Sequence, residues 1–180
     1  MTLVGGKWTT YRRMAEELLD WLAGQGMRMR SSRSAHTPLF GAPGWEGGYP
    51  GKPCAPFLPP TREPLSSDIA TSIPADVREH LRQYGTVAAE VWQLTRQYAG
   101  RLLPNWPYLR AEVVYAARHE MARTPMDFLA RRIRLAFLDS QAASEALSEV
   151  TALMADELRW DRATRLAMEN AAREQITTAL

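Results

Sequence analysis

The sequence has few of the residues on which disulfide frameworks, metal clusters and nucleic-acid surfaces depend. Its 180 residues include one cysteine, Cys54, which excludes an internal disulfide framework and a multi-cysteine metal cluster and is typical of a reducing compartment. The three histidines are scattered along the chain, so we expect no metal site. Only Lys7 and Lys52 are lysines among the 22 basic residues, and a net charge of +2 is too small for a nucleic-acid-binding protein.

Long apolar runs and glycine-rich phosphate loops are also missing. No run is long and apolar enough to span a bilayer, so the sequence predicts no membrane-spanning helix. The opening Met1-Thr-Leu-Val-Gly-Gly lacks the charged and apolar segments of a signal peptide, so we expect none. Because neither a Gly-x-Gly-x-x-Gly turn nor a nucleophile elbow occurs, the chain itself is predicted to contain no dinucleotide-binding turn and no hydrolase site.

Composition and periodicity predict three segments. Residues 1–23 combine a strand stub, a glycine turn and a helix. Residues 24–74 hold nine of the twelve prolines and are predicted to form a Pro/Gly-rich connection, which marks the domain boundary. Residues 75–180 show helical periodicity throughout and no strand alternation. The predicted fold class is therefore all-α, with a C-terminal helical domain of about five helices.

The first segment begins with a predicted strand stub at Thr2–Val4. Over residues 8–23, apolar side chains recur every three or four positions and form one stripe, which predicts a helix. The hydroxyl of Thr9 or Thr10 is expected to cap the start of this helix, and a glycine at position 24 or 26 to end it.

Helix start signals divide the third segment. Thr86 is predicted to cap a helix that ends at Gly100, after a shorter helix stopped at Gly85. The sequence Thr124-Pro-Met-Asp combines a capping hydroxyl, a proline at the first helical position and an acid in the first turn. Two later helices are expected to be capped by aspartates at positions 139 and 161.

The segment from Val4 to Arg12 is a candidate anion site. Gly5 and Gly6 allow the backbone to approach another group closely, and the helix N-terminus that follows offers free amide donors and a positive dipole end. Lys7 adds a full positive charge at the same place. The unit suits a phosphate, a carboxylate or the anionic pyrimidine edge of a reduced flavin. The same residues also fit an ordinary strand, turn and helix with a solvated lysine.

A second unusual segment is Arg131-Arg-Ile-Arg-Leu-Ala-Phe-Leu138. Three arginines among apolar residues cannot all face one core, so some are expected to pair with acids or to reach across an interface. The alternative is a solvated helix face.

These motifs together resemble a known family. The sequence Gly5-Gly-Lys-Trp-Thr-Thr-Tyr-Arg12, followed by Met14-Ala-Glu, resembles the motif that ends the flavin domain of FAD-dependent glycerol-3-phosphate dehydrogenases, especially the mitochondrial type. The stretches 107–120 and 131–139 resemble the C-terminal helical domain of that family, as do 141–147 and 154–161. The resemblance covers most of the chain outside the Pro/Gly-rich connection.

The resemblance implies a function and a set of site residues. The family oxidises glycerol 3-phosphate to dihydroxyacetone phosphate, passing a hydride to FAD and electrons to membrane quinone. Lys7 would be the catalytic residue of this chain, near flavin and substrate, and the backbone around Gly5, Gly6, Trp8 and Thr9 would face the flavin. The dinucleotide-binding part would precede Met1, so this chain alone is not expected to retain FAD or to be active.

The resemblance also implies partners and a location. The expected partners are the flavin domain of the same enzyme, glycerol 3-phosphate and quinone, with homo-oligomers at full length and no nucleic acid. The expected location is peripheral on the mitochondrial inner membrane, or alternatively on a bacterial cytoplasmic membrane. The residues alone are also consistent with a different class of function, a stand-alone all-α protein-interaction module.

Overall fold

The computed structural model describes residues 4–37, 39, 41 and 72–178. These belong to two compact units, one within residues 1–45 and the other within residues 46–180. Their regular structure consists of seven α-helices, one 3-10 helix and one π-helix, with no strand among the described residues. The predicted all-α fold class is confirmed. The boundaries after residues 23 and 74 stay predictions, because most of the connection between them lies outside the described residues.

Helix α1 spans Tyr11–Gly24 and follows the glycine turn as predicted. Thr10 precedes it, but its hydroxyl caps no amide of the first turn, so the predicted threonine cap is wrong. The Thr10 backbone is α-type (φ −113°, ψ −6°), not the extended form from which a side chain reaches forward. Its hydroxyl instead accepts from the Lys7 amide and donates to the Lys7 carbonyl, each at 3.1 Å. Residues 2 and 3 of the predicted strand stub lie outside the described residues.

Local ion pairs, not burial, stabilise α1. Arg12 lies 3.1 Å from Glu16 and Arg13 lies 2.8 Å from Glu17, both at i,i+4 spacing. Such exposed pairs contribute about 0.2–0.5 kcal/mol each. No side chain of α1 is fully buried, and within the first unit Met14, Leu18 and Leu22 of its apolar stripe are only half-buried.

Amide hydrogen exchange is expected to be much faster in α1 than in residues 125–155. A 14-residue helix without buried contacts is marginally stable, whereas helices in a packed core open only with the whole domain. Exchange of the isolated chain, followed peptide by peptide by mass spectrometry, checks this expectation. Equally slow exchange in both regions would show that α1 is covered in the chain itself.

The described part of the second unit, residues 72–178, contains six α-helices, one more than the approximate number predicted. In chain order its elements are α2 (Ala75–Leu81), a 3-10 helix (Arg82–Val87), α3 (Ala88–Leu94), α4 (Arg110–His119), a π-helix (Asp127–Arg132), α5 (Leu135–Leu138), α6 (Ser140–Leu158) and α7 (Arg162–Thr178). Every residue of α4 from Ala111 to Ala117 is buried. Helix α6 packs against α4, α5 and α7, so these helices enclose the main core.

The helix predicted from Thr86 to Gly100 is much shorter. Thr86 lies in the 3-10 helix and caps nothing, and α3 covers only Ala88–Leu94. Gly85, which has a positive φ of 55°, interrupts the helical backbone ahead of α3. After α3, the Thr95 hydroxyl donates to a backbone carbonyl at 2.6 Å within a series of turns. Apolar spacing alone does not distinguish helical periodicity from turns that also face the core.

Three predicted helix starts are confirmed. The Asp127 amide donates to the Thr124 hydroxyl at 3.2 Å, while the Asp127 carboxylate accepts from the Thr124 amide at 2.9 Å, a reciprocal cap. Asp139 accepts from the amide three residues ahead at 2.9 Å, and Asp161 does the same at 2.7 Å. Capping depends only on neighbouring residues, which is why sequence patterns locate it well.

The segment that follows Thr124 is not a regular α-helix. Residues 127–132 form a π-helix, and the amide of Ile133 donates to the carbonyl of Phe128, five residues earlier, at 3.1 Å. Arg134 then has a left-handed backbone (φ 61°) and turns the chain into α5. Six residues are too few for apolar periodicity to distinguish a wider turn from an α-helix.

Candidate functional site

The glycine turn ahead of α1 has a backbone that requires glycine. Gly5 and Gly6 have positive φ angles of 97° and 92°. A Cβ on Gly6 would lie 2.0 Å from the sulfur of Met14, so glycine there serves packing within the unit. A Cβ on Gly5 would meet nothing within 4 Å. The backbone at Gly5 is therefore open to an approaching group.

Several backbone amides of this turn remain available as donors. The Lys7 amide is used within the turn, but the amides of Gly5, Gly6, Trp8 and Thr9 donate to no acceptor among the described residues. They stand just before a helix N-terminus, where the helix dipole favours negative charge. A cluster of this kind suits an anionic or carbonyl-rich edge of a ligand.

The side chains of the turn are exposed as well. The ammonium of Lys7 makes no hydrogen bond or ion pair with the part of the chain that the structure describes. Trp8 is 88% exposed, and its ring meets the ring of Tyr11 edge-on with centroids 6.1 Å apart. Thr9 is exposed too. The five predicted site residues thus form one open turn whose charge and donors are unused within its own unit.

A buried carboxylate in the helical unit was missed by sequence reasoning. Glu112 of α4 is fully buried and accepts the Leu109 amide at 2.7 Å and the Tyr84 hydroxyl at 2.9 Å. The imidazole Nε2 of His80 lies 2.7 Å from the same carboxylate. These contacts tie α2, the 3-10 helix and α4 together. The available signal was one acid between Ala111 and the mostly apolar run Val113–Ala117, which implies a buried charge with partners.

Tyr84 contacts this carboxylate, and the ring of Tyr115 packs edge-on against the ring of Tyr84 with centroids 5.6 Å apart. Burial, followed by the charge of Glu112, raises the pKa of Tyr84 far above its ordinary value, and burial also raises the pKa of Tyr115. Tyr115 stacks on His119 with ring centroids 4.6 Å apart. Burial and the neighbouring guanidinium of Arg118 lower the pKa of His119. The Tyr84 phenol therefore stays protonated near neutral pH and donates to Glu112, which links the 3-10 helix to α4.

The arginine stretch pairs with acids, as predicted. Arg131 contacts Asp127 one turn earlier in the π-helix. Arg132 lies 3.1 Å from the carboxylate of Glu120 and also donates to the Glu120 backbone carbonyl. Burial raises the pKa of Glu120, against the opposing effect of Arg132. These contacts link the π-helix to the end of α4, and Arg134 remains exposed.

No three histidine, cysteine, aspartate or glutamate side chains in the described ranges are grouped so as to hold a metal ion. No helix within residues 4–37 or 72–178 is long and apolar enough to cross a membrane. Cys54 lies outside the described residues.

The glycine turn and the helical unit fall within a single family match. Residues 1–165 match the family described as the C-terminal domain of alpha-glycerophosphate oxidase. The chain belongs to this family. The resemblance that the Gly5–Arg12 motif and the helical stretches indicated is thereby confirmed. The described part of the chain is helical, which is consistent with an all-α C-terminal domain.

Individual relatives cover nearly all of the chain. It is 32% identical over 183 residues to the mitochondrial glycerol-3-phosphate dehydrogenase SDP6 of Arabidopsis thaliana, a match that covers 99% of the chain and 29% of the relative. It is 35% identical over 164 residues to the mitochondrial glycerol-3-phosphate dehydrogenase of Homo sapiens, covering 89% of the chain and 21% of the relative. The chain therefore spans less than a third of the length of these relatives. No solved structure matches the chain.

Proposed function

We propose that this chain is the C-terminal part of an FAD-dependent glycerol-3-phosphate dehydrogenase. The whole enzyme would oxidise glycerol 3-phosphate to dihydroxyacetone phosphate and pass the electrons to quinone. The observation that carries the proposal is the exposed glycine–lysine turn, whose donors and charge are unused within its own unit, in a member of the glycerophosphate oxidase family. The names of the relatives support the substrate and a mitochondrial location, for which we propose the periphery of the inner membrane.

The turn fits one edge of a flavin. FAD, when bound, supplies the hydride acceptor and carries negative charge on its pyrimidine edge after reduction. The backbone at Gly5 is open to close approach, and the amides of Gly5, Gly6, Trp8 and Thr9 would donate to that edge. Nothing in the sequence fits the pyrophosphate, because no glycine-rich dinucleotide turn is present. The turn would therefore complete a flavin site that is mainly built elsewhere.

Lys7 is the residue of this chain to which we assign a catalytic role. Lys7 lies just before the N-terminal end of α1, where the helix dipole is positive, so its charge and the dipole both favour a negative group placed ahead of the helix. Held against the flavin edge, Lys7 would stabilise the charge that develops there during hydride transfer. Because no described residue neutralises Lys7, its full charge is available for this purpose.

The flavin domain of the same enzyme is the partner we infer for the first unit. Of the twelve exposed large apolar side chains in the described residues, eight belong to this unit: Val4, Trp8, Tyr11, Leu19, Trp21, Met27, Met29 and Leu39. So high a density of exposed apolar side chains marks an interface. Since α1 directly follows the turn assigned to the flavin, the domain that holds the flavin is the surface within reach.

The isolated chain is expected to purify colourless and to be inactive. Each charge-assisted hydrogen bond to a ligand contributes about 1.5–3 kcal/mol at best, and only one turn offers them. Immobilising a ligand costs about 4–15 kcal/mol, so this turn cannot retain FAD by itself. The measurements are the visible absorption spectrum and the reduction of an acceptor dye by glycerol 3-phosphate.

The control for that experiment is a longer protein in which the same 180 residues follow a relative's flavin domain. This fusion should be yellow and should reduce the dye. A yellow and active isolated chain would contradict the proposal that most of the flavin site lies outside these 180 residues. A colourless fusion that folds would instead favour the stand-alone interaction module.

A further inference from the structure

One thioether packs directly against the turn that contains Lys7. A Cβ added to Gly6 would lie 2.0 Å from the sulfur of Met14 and 2.7 Å from its methyl carbon, so this side chain lies against the Gly6 backbone. Met14 belongs to the first turn of α1 and is half-buried within its unit. Its sulfur therefore contacts the turn and remains within reach of small solutes.

A threonine hydroxyl connects the same sulfur to Lys7. The Thr10 hydroxyl accepts the Lys7 amide at 3.1 Å, and its single proton has two acceptors within reach: the Lys7 carbonyl at 3.1 Å and the Met14 sulfur at 3.6 Å. Because a thioether is a weak acceptor, the carbonyl is the better partner for this proton. The local backbone at Lys7 thus depends on the sulfur remaining the weaker acceptor.

Oxidation of the sulfur would change this balance. Hydrogen peroxide converts a methionine thioether to a sulfoxide, which is polar and chiral. The sulfur lone pair attacks one peroxide oxygen and the O–O bond breaks; the hydroxide that leaves takes the proton of the transferred oxygen and becomes water. The sulfur is oxidised by two electrons and the peroxide is reduced by two.

A sulfoxide at Met14 would need a hydrogen bond that the thioether does not need. A polar group that is partly buried without a partner is unfavourable. Its oxygen can take the Thr10 proton from the Lys7 carbonyl, or it can turn to solvent and withdraw the side chain from Gly6. Each change removes a contact that holds the turn, so each alters the position of Lys7 relative to α1.

The other methionines offer an internal comparison. Among those that the structure describes, Met14 alone has a sulfur that accepts a hydrogen bond from a described residue. Met27 and Met29 are 52% and 40% exposed in the same unit, and Met121 is 80% exposed in the helical unit. Oxidation of a side chain that is already solvated has little consequence for packing. Of these four thioethers, Met14 is the one whose oxidation reaches the turn.

We propose that Met14 is a site of reversible oxidation by hydroperoxides, at which the sulfoxide loosens the Gly5–Lys7 turn and slows the enzyme. A reductase that uses two thiols restores the thioether: the thiols form a disulfide and the sulfoxide oxygen leaves as water. The effect on the rate rests on the function proposed above, whereas the effect on the turn does not.

The first test uses the 180-residue chain and needs no activity. Hydrogen peroxide is added, oxidation of each methionine is followed by peptide mass spectrometry, and backbone amides are followed by NMR. The amide resonances of Lys7 and Thr10 should shift in proportion to the sulfoxide at Met14 and return after treatment with methionine sulfoxide reductases. Met14→Leu should abolish this response. The double variant Met27→Leu and Met29→Leu is the matched control and should respond like wild type.

The second test measures turnover of the fusion to a relative's flavin domain. Each variant is compared with its own untreated rate at equal flavin absorbance. Peroxide should lower the wild-type kcat about tenfold or more, because misplacing a reacting group by about 1 Å can cost about 100-fold. Reductase treatment should restore the rate, and Met14→Leu should keep most of its own. Met14→Gln, which places a polar acceptor there without peroxide, should be slow before treatment.

The outcomes distinguish this proposal from the enzyme function. Amide resonances of the turn that do not move when Met14 is oxidised would overturn the proposal, as would an equal loss of rate in Met14→Leu. A fusion that is inactive before treatment would instead contradict the proposed enzyme function, and the first test would then decide on Met14.

Discussion

Replacing Lys7 by methionine in a full-length enzyme that carries this chain is expected to lower kcat about 100-fold, with a smaller change in KM. Removing one preorganised group that stabilises developing charge typically costs about 10²–10³ in kcat. Methionine keeps the unbranched apolar stem of lysine as far as Cε but removes the ammonium. A loss confined mainly to kcat would mean that Lys7 acts on the transition state more than on substrate binding. The measurement is steady-state oxidation of glycerol 3-phosphate with an acceptor dye.

The chain offers a matched control for that substitution. Lys52 is its only other lysine, so Lys52→Met removes the same charge from a different place and should leave kcat unchanged. Lys7→Arg should recover part of the lost rate, because it restores the charge with a different geometry. Flavin absorbance should be equal in all variants. Full turnover of Lys7→Met with bound flavin would remove Lys7 from the mechanism.

Replacing Glu112 by glutamine is expected to destabilise the helical unit by about 3 kcal/mol. The carboxylate accepts hydrogen bonds from the Leu109 amide and the Tyr84 hydroxyl and contacts the imidazole of His80, all with Glu112 fully buried. An amide of the same shape has one accepting oxygen and presents its own donors to these groups, so buried polar atoms lose partners. Thermal unfolding followed by circular dichroism should show a Tm lowered by roughly 4 °C or more for each kcal/mol lost.

Two further variants distinguish the loss of buried hydrogen bonds at Glu112 from the general effect of removing an acidic charge. Tyr84→Phe removes one hydrogen bond to the carboxylate and should destabilise the unit by about 1.5 kcal/mol. Glu79→Gln, on α2, removes an exposed partner of Arg82 and should change the stability by less than about 1 kcal/mol. A Glu112→Gln variant as stable as Glu79→Gln would show that the buried carboxylate contributes little to the fold.

Several features of this protein could be predicted because they depend on neighbouring residues. The caps at Asp139 and Asp161 require only an acid and the amide three residues ahead, so the sequence locates them. The glycine turn is likewise local, since its two positive φ angles and its lysine follow each other in the chain. This turn and the contiguous stretches between residues 107 and 161 carry the resemblance to the family, so family membership could be predicted from the sequence alone.

Other features were predicted incompletely because local patterns are ambiguous. The apolar spacing from Val87 to Tyr98 predicted one helix, whereas α3 ends at Leu94 and is followed by a series of turns in which Tyr98 is still half-buried. The π-helix after Thr124 could not be predicted for a related reason. Its backbone hydrogen bonds span five residues where those of an α-helix span four, and apolar periodicity over a single turn does not distinguish the two.

The sequence by itself determined the fold class, most helix starts and the exposed turn that contains Lys7. Tertiary structure alone decided which partners the buried Glu112 has, because Tyr84 and His80 lie 28 and 32 residues away in the chain. It also decided which side of α5 faces outward, since Leu135 and Ala136 turn to the core only when α6 is packed against them. A short-range pattern specifies backbone hydrogen bonds, whereas the burial of a charge or an apolar side chain depends on surfaces that meet only after the chain has folded.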